Sequence, residues 1–136
     1  MKKIWEITKT IWKAVRNLIK KKESGQMLIR ASVLYKKAID EAESQFRKTG
    51  HRYYVVYDPT QKKLIPLTYD LYVMKPDSYV YLRRRGRFCR ALTRNEFKEK
   101  CFYYTPSKNT TRRCIGAERR EKLLKWQRYY SLCLNR

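Results

Sequence analysis

Five arginines fall within eight consecutive positions in the segment Arg83-Arg84-Arg85-Gly86-Arg87-Phe88-Cys89-Arg90. Each guanidinium presents a planar fork of donors that grips phosphate or carboxylate oxygens in pairs, and a glycine inside the run lets the backbone approach a ligand closely. Cations at a helix C-terminus are also favoured by the helix dipole, but that role is filled by a charge or two. The surplus points to an anionic partner. Arg112-Arg113 and Arg119-Arg120 form a second cluster, and Tyr103, Tyr104, Tyr129 and Tyr130 lie among these charges. Tyrosines set among arginines can stack on single-stranded bases or anchor a wet protein interface. Residue types alone leave both roles open.

Catalytic constellations are harder to find. The one histidine, His51, sits in the run His51-Arg52-Tyr53-Tyr54-Val55-Val56 with no nucleophile beside it in sequence. There is no glycine-rich phosphate loop and no GxSxG turn. The acids Asp58, Asp70 and Asp77 lie in or near turns, where capping explains them, and Asp40, Glu41 and Glu43 share one helix. Cys89, Cys101, Cys114 and Cys133 are separated by 12, 13 and 19 positions, without the tight pair that zinc sites use to lower the entropy of closure. They read as buried small side chains in a reducing compartment; two disulfides remain possible, but nothing suggests secretion. The expectation is a protein without catalytic residues, metal or cofactor.

The elements that carry these residues follow from periodicity. Residues 2–22 place the doublets Ile4/Trp5, Ile11/Trp12 and Leu18/Ile19 seven apart, which draws one wide apolar stripe on a helix. Lys2, Lys9, Lys13, Arg16 and Lys20 occupy its other face. That stripe needs cover, and the expected cover is a partner protein or the chain's own body rather than a membrane, although a basic helix with tryptophans also suits a lipid surface. The polar stretch Lys20-Lys21-Lys22-Glu23-Ser24-Gly25 predicts a break. A second helix is expected over 26–48 from Met27/Leu28, Ala31, Leu34/Tyr35, Ala38/Ile39, Ala42 and Phe46, stopped by Thr49-Gly50. Its acids, Asp40, Glu41 and Glu43, could mask nearby basic side chains.

Residues 51–57 predict a strand, Asp58-Pro59-Thr60-Gln61-Lys62 a turn, and 63–73 a returning strand in which Pro66 marks an edge or bend. A short helix is expected from Pro76-Asp77-Ser78 to Gly86. Thr93-Arg94-Asn95-Glu96 matches a capping box and predicts a helix over 94–100. Cys101 to Thr105 predicts a third strand. A last helix is expected over about 117–132, with Leu123/Leu124, Gln127, Tyr130 and Leu134 on one side. The sum is an α+β fold, a small antiparallel sheet with flanking helices and a basic amphipathic N-terminal helix. Residues 1–22 form the docking helix, through Ile4, Trp5, Ile11, Trp12, Leu18 and Ile19, and residues 23–136 a single compact domain.

The chain has 136 residues and a net charge of +22, from 34 Lys+Arg against 12 Asp+Glu. Residues 1–22 hold eight basic residues and one acid, residues 23–82 nine and seven, and residues 83–136 seventeen and four, so both ends are cationic around a nearly neutral middle. An excess of this size repels itself and attracts polyanions. Aromatics at 14% disfavour a disordered chain. No stretch of about 18 residues lacks charge, which disfavours a membrane span, and the N-terminal apolar residues are too interrupted by Lys and Arg for a signal peptide.

The ordered motifs Lys37-Ala38-Ile39, Thr49-Gly50-His51-Arg52-Tyr53-Tyr54-Val55-Val56, Lys63-Leu64-Ile65, Tyr81-Leu82-Arg83-Arg84-Arg85-Gly86-Arg87-Phe88 and Cys101-Phe102-Tyr103-Tyr104-Thr105-Pro106 resemble small basic proteins of crAss-like tailed phages of gut Bacteroidota. The resemblance covers residues 36–106, leaves both terminal helices unexplained and carries over no catalytic residue. It implies a virion or phage-replication context in a bacterial cell. The expected function is therefore a non-enzymatic, capsid-associated virion component. It would bind other virion proteins through an acidic surface, DNA, or both, within a multi-chain assembly. The alternative is a free nucleic-acid-binding regulatory module of a phage or mobile element.

Overall fold

The computed structural model describes residues 2–79, 82 and 91–134, with side chains described from Glu6 to Cys133 within those ranges. Arg83, Arg84, Arg85, Arg87, Arg90 and Cys89 lie outside the described residues, as do the side chains of Ile4, Trp5 and Leu134.

No proline precedes Pro59, and the chain runs as one helix, α1, from Lys2 to Thr49. The break expected at 20–25 is absent. Lys and Glu are good helix formers, and a single interior glycine costs only about 1 kcal/mol relative to alanine, so polarity without a capping geometry does not stop a helix. Gly25 meets no neighbour and continues the turn. The true stop is Gly50, whose φ of 75° reverses the chain while its N–H still reaches the Phe46 carbonyl at 2.7 Å. At 1.5 Å per residue the rod is about 72 Å long. Every described side chain from Glu6 to Gln26 is exposed. Burial starts at Ala31 and continues through Tyr35, Ala38, Ile39 and Ala42, a stripe of 3–4 spacing that faces the rest of the fold.

Strand β1 (Tyr54–Asp58) pairs antiparallel with β2 (Lys63–Leu67) in a register that sets Tyr54 opposite Leu67 and Asp58 opposite Lys63. Asp58 Oδ1 accepts the Thr60 N–H at 2.9 Å, and Lys62 takes a φ of 54° to close the turn. Pro66 sits in β2 at the sheet edge, where its missing donor does no harm. The strand expected to reach residue 73 ends at Leu67. Thr68 accepts the Leu71 N–H at 3.3 Å and so caps helix α2 (Tyr69–Met74), and Asp70 stands in its first turn. A 3-10 turn at Pro76–Ser78 is the described part of the helix expected to run to Gly86. Helix α3 (Arg94–Lys100) begins on the expected capping box: Thr93 accepts from the Glu96 N–H and Glu96 Oε1 accepts from the Thr93 N–H. Strand β3 (Tyr103–Tyr104) completes the order β2-β1-β3 by pairing with β1.

Helix α4 (Gly116–Leu134) lies against α1. It buries Lys122 and Trp126, whereas Leu124, expected inside, is 52% exposed. The largest side chain fixes the rotation: Trp126 packs among Phe102, Tyr57 and Tyr130 and donates Nε1–H to the Ala31 carbonyl of α1 at 2.9 Å. Gln127 is left at the seam, bonded to the Ser32 hydroxyl. The architecture is α+β, with α1 and the helices α3 and α4 around one antiparallel sheet.

Candidate functional site

Of the arginines singled out by sequence, Arg112, Arg113, Arg119 and Arg120 are described, and all four are exposed. Arg112 and Arg113 ride on the segment between β3 and α4. That segment is held by the Arg112 N–H on Thr110 Oγ1 (3.2 Å) and the Cys114 N–H on the Tyr104 carbonyl (3.3 Å). Arg113 stands 3.6 Å from Glu43 of α1, so one of the helix acids does mask a basic side chain. Arg119 and Arg120 are the fourth and fifth residues of α4. The dipole disfavours cations at that end of a helix, so neither charge is there to stabilise the helix terminus.

The tyrosines divide differently from expectation. Tyr103 and Tyr104 are buried, at 2% and 0% exposure, and neither offers a face to a base. Alternation along β3 would normally leave one of them outside, but both faces of this sheet are covered. Tyr103 donates its hydroxyl to Glu43 of α1, with Arg119 5.9 Å from its ring. Tyr104 points the other way, donates to Glu118 at 2.9 Å, and has Lys98 and Arg52 at 4.9 and 5.2 Å from its ring. Their stacking role is therefore corrected to a structural one. Tyr129 and Tyr130 are half-buried beside Trp126, with Tyr57 against Tyr129 at 5.1 Å.

The structure also assembles a cationic pocket that periodicity did not indicate. It opens between the turn Gly50–Arg52, the β2–α2 junction at 68–70, Arg94, Asn95 and Lys98 of α3, and the loop 107–110, with a volume of about 670 Å³. The Lys108 N–H on the Gly50 carbonyl (2.9 Å) and the bridge between Ser107 and Thr110 hold the loop in place. A Cβ on Gly50 would meet only the exposed, movable Lys108 side chain, so the positive φ is what calls for glycine there. Arg52 and Lys98 are half-buried, while His51, Arg94 and Lys108 are exposed. Arg52 donates to the Arg112 carbonyl at 2.7 Å, which joins the pocket to the arginine segment; its Nε is buried with no acceptor among the described residues. Burial, and then Arg112 and Arg52 nearby, push Lys98 below the usual lysine range.

On α1, Ile7, Ile11, Trp12, Val15, Leu18 and Ile19 form an uncovered stripe, Trp12 at 60% exposure. No helix among the described residues is long and apolar enough to cross a membrane. His51 is exposed. Cys101, Cys114 and Cys133 are free thiols; burial pushes Cys101 up and Cys114 up to about 11, which makes both poor nucleophiles at neutral pH.

Lys122 and Lys125 of α4 converge on the end of α3. Lys122 Nζ donates to the carbonyls of Lys98, Glu99 and Cys101 at 2.8, 2.9 and 2.7 Å, and Lys125 Nζ to that of Lys100 at 2.7 Å. Burial, with the Lys122 ammonium beside it, brings Lys125 from 10.5 down to about 8. Between those values the unfolded chain binds the extra proton, so stability rises with pH. Cys114 acts oppositely above its ordinary 9.0, and Tyr104, pushed up to about 12 by burial and Glu118, acts oppositely above 10.0, as do the buried Tyr35 and Tyr103. The urea midpoint should therefore rise between pH 8 and 9 and fall steeply beyond 10. Lys125→Gln should reduce the rise to the smaller contribution of Lys98; a midpoint that falls steadily from pH 8 in the unaltered protein would contradict the assignment.

Comparison with protein-family models, with curated proteins and with solved structures gives no match to this chain.

Proposed function

We propose that this protein is a non-enzymatic, polyanion-binding structural component of an assembly, docked through the apolar stripe of α1 and holding its anionic partner through the exposed arginines Arg112, Arg113, Arg119 and Arg120. The observation that carries this reading is that all four of these arginines are exposed, on a short stretch of chain whose Arg112 carbonyl is tied to Arg52 of the cationic pocket. A set of cations held together against their own repulsion, in a chain of net charge +22, is an electrostatic footprint for a polymer of opposite sign. The resemblance of residues 36–106 to small basic proteins of crAss-like phages supports a virion setting, with DNA or an acidic capsid surface as the polymer. A free regulatory module, in virion-independent host cytoplasm, is the second reading. The uncovered stripe from Ile7 to Ile19 favours the first, because exposed apolar patches of this kind mark association surfaces.

The test is binding to labelled duplex and single-stranded DNA and to an acidic polypeptide as a function of salt. Affinity for DNA should fall linearly in log–log form, with a slope near 0.9 per phosphate contacted. Arg112→Glu with Arg120→Glu should weaken it about 100-fold while leaving the melting temperature unchanged. Tight binding that ignores both salt and this double reversal would remove the arginine face from the function. Purification from producing cells with free nucleic acid rather than with particles would favour the regulatory module.

A further inference from the structure

The pocket bounded by Arg52, Arg94, Lys98 and Lys108 has a chemistry narrower than the face it adjoins. We infer that it seats a backbone phosphate of a nucleic acid, so that the chain reads sugar–phosphate geometry and not base identity. The inference rests on the polyanion reading above and names its ligand.

The lining is made of donors. Four permanent cations and His51 stand with the amides of Asn95 and Asn109 and the hydroxyls of Thr68, Ser107 and Thr110. Asp70, the one carboxylate among the described lining residues, is 87% exposed and 3.5 Å from Arg94, so it sits at the rim and is already partnered. The half-buried pair Arg52 and Lys98 forms the floor, with no carboxylate of the pocket placed between them. Neighbouring like charges destabilise one another until an anion enters; Lys98 is lowered first by burial and then by this repulsion from Arg112 and Arg52, with Glu118 acting the other way.

The aromatic lining decides between phosphate backbone, base and protein side chain. Tyr54 is 4% exposed, its ring tilted against that of Phe97 at 4.6 Å. Tyr69 donates its hydroxyl to the Leu92 carbonyl and carries Arg94 4.6 Å from its ring centroid. Neither ring is open to a base, which single-strand readers require. An acidic protein would anchor through an apolar or aromatic hot spot in a fitted pocket, and no uncovered apolar side chain lines this one. A phosphodiester needs many donors and no stacking platform, which is what the lining supplies.

The test compares two pairs of substitutions that remove the same charge. Lys98→Gln with Lys108→Gln alters the pocket. Lys62→Asn with Lys63→Gln alters the far end of the β1–β2 hairpin, since β1 leaves the pocket at Tyr54 and reaches the turn after Asp58. Fluorescence anisotropy with oligonucleotides of two unrelated sequences, between about 50 and 200 mM salt, reads both. The pocket pair should lose at least about tenfold in affinity and about two contacts of salt slope, identically for both sequences, and the hairpin pair less than about twofold. Lys108→Glu alone, an exposed loop change, should lose about tenfold and serves if the pocket pair fails to fold. Equal losses for the two pairs, or a loss that depends on base sequence, would overturn the pocket while leaving the polyanion reading in place. No binding of either oligonucleotide by the unaltered protein at the lower salt would overturn the pocket's phosphate assignment, and the polyanion reading falls with it only if an acidic polypeptide is not bound either.

Discussion

Trp126→Ala should lower the unfolding free energy by about 4 kcal/mol, the largest effect expected of any single substitution outside the described gaps. The side chain is 1% exposed and is the bulkiest in the core. Its ring meets Phe102 at 5.4 Å, Tyr130 at 5.5 Å and Tyr57 at 6.0 Å, so it ties α4 to the sheet side of the core, and its Nε1–H reaches α1. Truncation leaves a cavity that neighbouring rings cannot fill, because each is fixed by its own contacts. The hydrogen bond to the Ala31 carbonyl is a smaller part, since that carbonyl lies inside a helix and keeps its intrahelical donor. Trp126→Phe should therefore cost only about 1–2 kcal/mol. Domains of this size have about 5–15 kcal/mol in hand, so the alanine variant should unfold at much lower urea concentration. A loss below about 1 kcal/mol would show that α4 is docked by something other than this side chain.

Lys122→Met should cost about 2–3 kcal/mol, despite replacing a charge with an apolar side chain of similar length. The residue is 5% exposed, and its Nζ donates to three carbonyls at the end of α3. Those carbonyls are the ones a helix leaves without partners, and they also carry the negative end of its dipole. Lys125 shares the Glu99 and Cys101 carbonyls at 3.4 and 3.5 Å, and the Cys101 thiol reaches the Lys98 carbonyl at 3.1 Å, which keeps the cost moderate. Urea unfolding gives the magnitude, and amide exchange should show α3 opening first. A variant as stable as the original would mean that water satisfies these carbonyls.

Much of the scaffold could be read from local pattern. The stripe Ala31, Tyr35, Ala38, Ile39 and Ala42, the hairpin around Asp58-Pro59, the edge position of Pro66 and the box Thr93–Glu96 are signals that act within a few residues, and the structure shows each of them. The errors have a common physical root. Polar composition at 20–25 was equated with a stop, although only a cap such as Gly50 ends a helix. Thr68 serves equally well in a strand or as a cap, and tertiary packing chose the cap. The face of α4 was assigned by leucines when one tryptophan outweighs them. The pocket was invisible for a different reason. Its lining comes from residues near 50, 70, 95 and 108, each unremarkable alone, and only the antiparallel sheet and the loop bond from Lys108 to Gly50 bring them together.

The uninterrupted α1 has a mechanical consequence. A rod without a hinge transmits orientation, so whatever clamps its free half also sets the azimuth of the cationic side. One residue inserted near Gly25 would swing that side by about 100° around the rod axis and move it about 1.5 Å outward. The cantilever thus works as a spacer of fixed phase, and its length counts as much as its composition.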